Sequence, residues 1–247
     1  MTTTLDDISL ALQTPLKLNA ERGSRILVIT DTAMDPALWQ GMRVAGESLG
    51  MEVSVAMMSP RERHAADPTR PICGAALDPS TDLCVYLTST ALAHAPLTEE
   101  LVQAGKRFIL MEELTADMLA KGGPAWVDYH AMNRLGLKIA KVFTEGKVAR
   151  VTCPNGTDLT ASIEGRVGRS ISGLPLSMRP GGGGGCAFPD GESHVCPVEG
   201  TGNGTVVFDL TAHSVGRLTD PIILTIKDGY VTKIEGGKQA DKWREIL

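Results

Sequence analysis

The sequence predicts an α/β fold: a Rossmann-like, mostly parallel sheet with helices on both faces, followed by a β-rich (α+β) C-terminal domain. In the first half, short apolar runs of strand length alternate with segments of helical spacing, which is the pattern of parallel sheets. In the second half, strand-like runs follow one another directly. The turns between them contain Gly, Asn and Asp, which is typical of antiparallel structure.

The first half of the sequence predicts strands and helices in alternation. Residues 25–30, RILVIT, form a continuous apolar run that predicts a strand buried on both faces. Asp31 and Asp35 are expected as turn or N-cap residues before a helix over 36–49. Further strands are predicted at 52–58, 83–88 and 107–111, with a helix at 98–104. No G-x-G-x-x-G follows the first strand, so the sequence does not indicate a dinucleotide site.

A long amphipathic segment at 126–143 is predicted to be a helix that links the two halves. Its apolar residues Met132, Leu135, Ile139 and Val142 recur at helical spacing, and Gly146 ends it. The predicted domain boundary lies there. An α/β domain is expected over 1–145 and a β-rich domain over 146–247.

Strands in the second half are predicted at 147–153, 158–164, 204–210, 222–226 and 230–234, with NGTD, GTGN and KDG as turns. The Gly-rich run at 179–186, RPGGGGGC, predicts a flexible loop. Gly181–Gly185 offers backbone N–H groups to an anion, but it lacks a P-loop ending, which favours a mobile lid or a disordered loop. Residues 238–247 resemble the first turns of a helix.

The composition of the chain argues against several classes of binding partner. The net charge is -5 with no basic run, which argues against nucleic acid. No apolar run reaches the roughly 18 residues of a membrane helix, and the start lacks the features of a secretory signal. Five cysteines without a C-x-x-C pair argue against a disulfide framework or a zinc ribbon. A cytoplasmic protein is therefore expected.

The segment after the glycine run carries the candidate metal ligands. Glu192, His194 and Cys196 alternate, so on an extended segment they lie on one face and could converge on a cation. Such mixed donors suit zinc or iron, although a catalytic metal usually needs three protein ligands. The alternative is a solvated turn carboxylate beside a loop histidine. His213 could reach the same rim or serve no site.

Other polar residues near turns have simpler interpretations. Cys153 and Cys196 are expected to be structural thiols, because no pattern supplies a base for either as a nucleophile. Asp158 and Asn155-Gly156 are expected to form a turn by bonding their own backbone.

Three ordered motifs carry a family resemblance: NGTDLTASIEGR, FPDGESHVCPVEGTGNGTVVFD after the glycine run, and PIILTIKDGYVTKIEGG. Together they resemble the aminopeptidase T/aminopeptidase S family of metallopeptidases, often described as leucyl aminopeptidases. They are also similar to the related iron-dependent 2,5-dihydroxypyridine 5,6-dioxygenases. The first half matches these families only as architecture.

The peptidase resemblance implies that the turn Pro189-Asp190-Gly191-Glu192 gives a carboxylate to a two-metal site, with Glu192 as a ligand. It implies a divalent metal (Zn, Co or Mn), and the dioxygenase resemblance implies Fe(II). The other ligands of both families lie in a stretch that would follow Leu247, so the second domain is expected to be shortened relative to the family. The first hypothesis is a hydrolase that cleaves a short peptide or amide with metal-activated water.

The sequence is also compatible with two alternative functions. One is a mononuclear Fe(II) dioxygenase that cleaves a dihydroxypyridine-type ring. The other is a catalytically silent binding or assembly module. A small-molecule or short-peptide substrate and a homodimer are expected as partners, without nucleic acid or membrane.

Overall fold

The computed structural model describes residues 4–174 and 184–246 and divides the chain into two compact units. Unit 1 comprises Met1–Gly136 and Ile171–Glu192, and unit 2 comprises Leu137–Ser170 and Ser193–Leu247. The chain therefore leaves unit 1, builds part of unit 2, and returns. The division at 145 and 146 stays a prediction about domains.

Unit 1 confirms the predicted parallel sheet with helices on both faces. Its elements are α1 (Leu5–Asn19), β1 (Arg25–Asp31), α2 (Pro36–Ser48), β2 (Glu52–Met58), α3 (Arg70–Leu77), β3 (Leu83–Leu87), α4 (Pro96–Gln103), β4 (Arg107–Leu110), two short 3-10 helices (Ala116–Leu119, Pro124–Trp126) and the start of α5 (Tyr129–Glu145). A later strand, which is β8 (Gly184–Ala187) in chain order, joins the same sheet. The order is β2-β1-β3-β4-β8, and every neighbouring pair is parallel.

Alternation along β1 shows why both faces are covered. Ile26 and Val28 belong to one buried cluster with residues of α1 and α2, whereas Leu27 and Ile29 belong to a second cluster with residues of α3 and α4. Successive side chains of a strand point to opposite faces, so a continuous apolar run needs a helical layer on each side.

The strand β8 corrects a sequence expectation. The run 179–186 was expected to be a flexible loop, and residues 179–183 lie outside the described part of the chain. Gly184 to Cys186 are instead buried in β8, where Gly185 pairs with Phe108 of β4. A Cβ on Gly185 would lie 2.2 Å from the Phe108 ring, so the absence of a side chain permits this close approach.

The helix α1 was not predicted, although its sequence carries a start signal. The Thr4 side chain accepts from the backbone of Asp7, and the Asp7 carboxylate accepts from the backbone of Thr4, which is a capping box. Ile8, Leu12 and Leu16 then recur at helical spacing and are buried. These residues give the sheet part of its apolar cover.

The predicted linking helix exists as α5, beginning at Tyr129 rather than at residue 126. The Asp128 carboxylate accepts from the Ala131 backbone at 2.9 Å and caps its start. Much of its predicted apolar face is exposed, because Leu135, Ile139 and Val142 retain 59%, 40% and 66% of their surface.

Unit 2 confirms the predicted antiparallel part. Apart from β8, the strands after α5 are β5 (Val148–Thr152), β6 (Asp158–Ser162), β7 (Arg169–Ile171), β9 (Glu192–His194), β10 (Asn203–Phe208), β11 (Thr211–Ala212), β12 (Gly216–Arg217), β13 (Ile222–Lys227) and β14 (Tyr230–Glu235), followed by the helix α6 (Lys238–Ile246). The main sheet has the order β14-β13-β10-β6-β5, β7 pairs with β9, and β11 pairs with β12. The strands β7 and β9 lie where the chain passes from one unit to the other.

The core of unit 2 lies between its main sheet and α6. Phe208 and Trp243 meet edge to face with ring centroids 4.8 Å apart, over the buried Leu224 and Ala240. Among the helices in the described chain, none is both long and apolar enough to span a bilayer.

Candidate functional site

The predicted metal ligands lie on the short strand β9. Glu192 is exposed at its start and His194 is half-buried at its end. Cys196 is exposed beyond the strand. Within residues 4–174 and 184–246, no three His, Cys, Asp or Glu side chains are grouped in a way that could hold a metal ion. The metal role of Glu192 and His194 therefore stays a prediction, and the described donors do not fit a three-ligand iron or zinc site.

The turn before Glu192 packs on an aromatic residue of unit 1. The Tyr129 ring lies 5.0 Å from that of Phe188, and its hydroxyl donates to the Pro124 carbonyl at 2.8 Å. Burial raises the pKa of the Tyr129 hydroxyl to about 12, so it stays protonated. The Asp190 carboxylate accepts from the Gly191 backbone at 2.7 Å. These contacts hold the turn in place.

The other polar candidates have structural contacts. Asp158 was expected to bond its own backbone, but it begins β6 and forms a two-pronged ion pair with Arg150 on β5, with N–O distances of 2.9 and 2.7 Å. The Asn155 side chain accepts from the Thr157 backbone, as expected for a turn residue. His213 is exposed, and its carbonyl accepts from the Trp243 indole.

The cysteines are all thiols, but they differ in burial. Cys84 and Cys186 are buried, and burial raises the pKa of each to about 12. The Cys186 thiol donates to the Asn19 side chain at 3.2 Å. Cys153 and Cys196 are exposed. The buried pair are inert core residues, because the thiolate is the reactive form.

A group of buried and half-buried polar side chains lies at the carboxyl edge of the parallel sheet. Chain progression reverses between β1 and β3, because β2 lies on one side of β1 and β3 on the other. Open α/β sheets bind ligands at the carboxyl ends of the strands beside such a reversal. A cavity of about 250 Å³ at the opposite edge is lined by Arg25, Glu52 and Asp78, and Arg25 pairs there with Asp82. Among the residues that the structure describes at that edge, none is a carboxylate buried as fully as Asp31.

Asp31 links the end of β1 to the segment after β3 at the reversal. It was expected as a turn or N-cap residue, and it forms the turn with Ala33 but does not cap α2. Its carboxylate is fully buried and accepts from the Ala33 backbone at 2.9 Å. The other oxygen accepts from the Ser89 backbone at 2.7 Å and from the Ser89 hydroxyl at 3.0 Å. Asp35 does cap α2, since its carboxylate accepts from the Ala37 backbone. A buried carboxylate with three donors is well satisfied.

The segment after β3 is held by side chains from two further loops. The Glu112 carboxylate, just past β4, accepts from the backbone N–H of Leu92, and the nearby backbone N–H of Ala93 also lowers its pKa. The Nδ1 atom of His64 accepts from the Ala91 backbone at 3.0 Å. Sequence reasoning missed both side chains. Glu112 directly follows the predicted strand at 107–111, which is a signal that could have found it.

Glu112 is the carboxylate with the most perturbed proton affinity at this edge. Burial raises its pKa to about 7, an effect that the N–H groups of Leu92 and Ala93 oppose and the charge of Glu113 reinforces. A carboxyl that exchanges its proton near neutral pH is suited to proton transfer or to pH sensing.

Glu112→Gln is expected to stabilise the protein more at about pH 8 than at about pH 5. The folded-state pKa lies above the unfolded value, so the contribution of Glu112 to stability is present below about pH 4.5 and is lost as pH rises through about 7. The gain of the variant over wild type should grow by about 2 to 3 kcal/mol across this range. Urea unfolding at both pH values measures it. Glu21→Gln, which removes an exposed carboxylate of unit 1, is the control, and equal gains of Glu112→Gln at both pH values would contradict the expectation.

This chain is an α/β protein that combines a unit with a parallel sheet and a unit with an antiparallel sheet. Two proteins of known structure have a similar fold. The structure of 2,5-dihydroxypyridine dioxygenase from Pseudomonas putida KT2440 matches with a TM-score of 0.80 at 19% identity, over 99% of this chain and 72% of that chain. Wild-type AmpT from Thermus thermophilus matches with a TM-score of 0.66 at 13% identity, over 97% and 73%. At these identities the likeness concerns the fold.

The model of the family NicX: 2,5-dihydroxypyridine 5,6-dioxygenase matches residues 11–247, and the chain therefore belongs to this family. No curated protein sequence matches significantly. The predicted relation to both enzyme types is supported. The aminopeptidase assignment itself is not confirmed, because the matching family model describes the dioxygenase.

Proposed function

We propose that this chain acts in the iron-dependent, ring-cleaving dioxygenation of a dihydroxylated pyridine or a similar aromatic ring. The observation that carries the proposal is the dioxygenase family match over residues 11–247. The fold adds support, with a TM-score of 0.80 to a dioxygenase against 0.66 to AmpT. The hydrolase hypothesis that the sequence favoured has the weaker support.

The family is named after a reaction, and that reaction determines which groups the active site must contain. Both atoms of one O₂ enter the product as the bond between ring carbons 5 and 6 breaks. Iron of this type is usually held by two histidines and a carboxylate with open positions for the substrate and O₂. Glu192 and His194 are donors of these kinds, but the described residues group no third donor with them. No reaction step is therefore assigned to them.

The dioxygenase proposal predicts iron-dependent oxygen uptake. Protein purified without oxygen and given Fe(II) is expected to consume one molecule of O₂ for each 2,5-dihydroxypyridine. With ¹⁸O₂, both labelled atoms should appear in the product. An oxygen electrode and mass spectrometry measure the two quantities on the full chain.

The alternatives give different results in the same preparation. Hydrolysis of leucine p-nitroanilide with Zn, Co or Mn, without oxygen uptake, would restore the aminopeptidase hypothesis. If the protein shows neither activity with any of these metals, that result would favour a catalytically silent binding or assembly module.

The role of Glu192 has its own test. Glu192→Gln should lower bound iron if this carboxylate is a ligand, measured by metal analysis after dialysis. Glu199→Gln is the matched control, because Glu199 is an exposed carboxylate that pairs with Arg166. Equal iron in both variants would remove Glu192 from the site.

Three further expectations belong to the proposal. A small-molecule substrate follows from the family reaction. A reducing cytoplasm accords with five cysteines that are all thiols. A homodimer accords with the exposed apolar side chains on α5, since exposed apolar patches often mark protein contacts. Light scattering of the purified chain measures the last expectation.

A further inference from the structure

The strand β5 lies at one end of the main sheet of unit 2, in the order β14-β13-β10-β6-β5. Its pairing with β6 is antiparallel and regular along the whole strand. Before the strand, the Ile163 N–H donates to the Lys147 carbonyl at 2.9 Å, and after it the Cys153 N–H donates to the Thr157 carbonyl at 3.0 Å. Antiparallel ladders alternate hydrogen-bonded and non-hydrogen-bonded pairs, so every second residue from Lys147 to Cys153 bonds toward β6.

The open edge of β5 is formed by the residues in between. Ala149 and Val151 point their backbone N–H and C=O groups toward β6, whereas Val148, Arg150 and Thr152 point theirs away from it. The outward groups form a row along the end of the sheet. Such a row is a template for pairing with a further strand.

The two ends of this sheet differ in the features that discourage pairing. At the other end, the register of β14 shifts between Thr225 and Ile226 of its neighbour, and the strand carries Lys233. Bulges and lysines are common means of keeping a free edge unpaired. In β5 the register is regular, and the charged side chain of Arg150 pairs with Asp158 of β6 at 2.7 Å. The β5 edge therefore has the properties of a strand that accepts a neighbour.

Val151 extends the apolar face of the sheet to this edge. It lies directly opposite Leu159 of β6, which lies opposite Gly204 of β10, and residues opposite one another share a face. Phe208 is an even number of residues after Gly204, so it lies on the same face, where it packs on Trp243 of α6. Val151 is 56% exposed, so the apolar face continues beyond the part that α6 covers.

Further exposed apolar side chains belong to the same segment of unit 2, Leu137–Ser170. They are Leu137, Ile139, Val142, Val148 and Val167. Such a concentration is typical of a protein contact. Cations of the segment pair with carboxylates, as Lys141 does with Glu145, Lys147 with Glu164 and Arg166 with Glu199. Two copies of this segment would therefore repel each other little.

We propose that β5 pairs in antiparallel with β5 of a second copy of this chain, across a two-fold axis at Val151. The two main sheets of unit 2 then join into one continuous sheet. In this register the backbone groups of Arg150 bond to those of the partner's Thr152, and Val151 packs against the partner's Val151. This contact would give the expected homodimer a defined interface. It is independent of the proposed dioxygenase reaction.

Side chains favour the two-fold axis at Val151 over its neighbours. An axis at Arg150 would place that cation directly opposite the partner's Arg150, and like charges in this position are destabilising. An axis at Ala149 would place Val151 opposite the partner's Lys147. The axis at Val151 joins the exposed valines and sets Arg150 opposite a threonine. Pro154, which has no N–H, then limits the ladder just beyond β5.

Light scattering of the full chain over a range of concentrations tests the contact. Val151→Lys would place two ammonium groups opposite each other where the Cα atoms are about 4.5 Å apart, so the dimer dissociation constant should rise about tenfold or more. Val231→Lys makes the same change on β14, at the opposite end of the sheet, and should leave the dimer unchanged. Far-UV circular dichroism establishes that both variants are folded.

A disulfide between copies tests the register. Ala149 lies opposite the partner's Cys153 in a non-hydrogen-bonded pair, whose Cα separation of about 4.5 Å suits a disulfide. Cys153 is an exposed thiol, so Ala149→Cys exposed to dissolved O₂ should give a covalent dimer on a gel run without reductant. Ala149→Cys/Cys153→Ser should stay uncrosslinked. Val148→Cys, whose side chain points to the other face, should also stay uncrosslinked.

Two results would overturn the proposal. One is a wild-type chain that is monomeric at every concentration. The other is a dimer that survives Val151→Lys and is not crosslinked through Ala149→Cys, which would place the contact elsewhere, for example on α5. Oxygen uptake is a separate measurement. Uptake by a monomer would leave the dioxygenase proposal intact, and a crosslinked dimer without uptake would leave the β5 contact intact.

Discussion

Asp31→Ala is expected to lower the free energy of unfolding by about 3 to 5 kcal/mol. The substitution leaves three donors without their acceptor in a buried place: the Ala33 N–H, the Ser89 N–H and the Ser89 hydroxyl. The Asp31 side chain is 0% exposed, so water cannot readily replace it. Urea unfolding followed by far-UV circular dichroism measures the loss.

Asp35→Ala is the matched control for this prediction. Asp35 lies in the same connection between β1 and α2, but it is exposed and accepts a single capping bond from Ala37. Its removal should lower stability by about 1 kcal/mol. Asp31→Ala/Ser89→Ala should lose less than the sum of its single substitutions, since one donor disappears with the acceptor. Similar losses for Asp31→Ala and Asp35→Ala would show that Asp31 is only a cap.

Gly185→Ala is expected to destabilise unit 1 by about 2 to 4 kcal/mol. The new Cβ would lie 2.2 Å from a ring carbon of Phe108, which is 5% exposed and stacks on Tyr86 with centroids 6.0 Å apart. The ring has little room to move, so β8 must shift away from β4. Thermal unfolding, together with amide exchange at Ile109 and Cys186, measures both consequences.

Gly74→Ala is the control for Gly185→Ala, because nothing lies within 4 Å of a Cβ built on this helical glycine. It should increase stability by about 0.5 to 1 kcal/mol through helix propensity. Adding Phe108→Leu to Gly185→Ala should recover part of the loss by opening space beside β4. A neutral Gly185→Ala would mean that β8 does not pack against Phe108 as described.

Elements that depend on local sequence patterns are the ones that the sequence predicts correctly. The KDG turn joins β13 to β14 because Asp228 and Gly229 adopt φ values of 50° and 82°, and two such residues in succession form the favoured hairpin turn. The run at 25–30 is a strand buried on both faces because its apolar side chains alternate between two helical layers. In each case the residues that decide the structure are adjacent in sequence.

Long-range contacts explain what the sequence did not reveal. The strand β8 consists of Gly, Gly, Cys and Ala, whose strand character comes from pairing with β4 rather than from apolar alternation. Asp31 and Asp35 look alike in sequence, yet only Asp31 meets Ser89, which is 58 residues away. The role of Glu112 likewise depends on Leu92, 20 residues earlier in the chain. A single sequence carries no direct signal for such pairs.

The chain leaves unit 1 and later returns to it, so one strand of the unit 1 sheet is synthesised long after its neighbour. The strand β4 ends at Leu110, but its outer neighbour β8 is not complete until Ala187. A nascent polypeptide therefore leaves the ribosome with an uncovered strand edge while the next 76 residues, from 111 to 186, are being translated. Exposed edges promote aggregation, so this interval is where a chaperone would contribute most to the yield of the native protein.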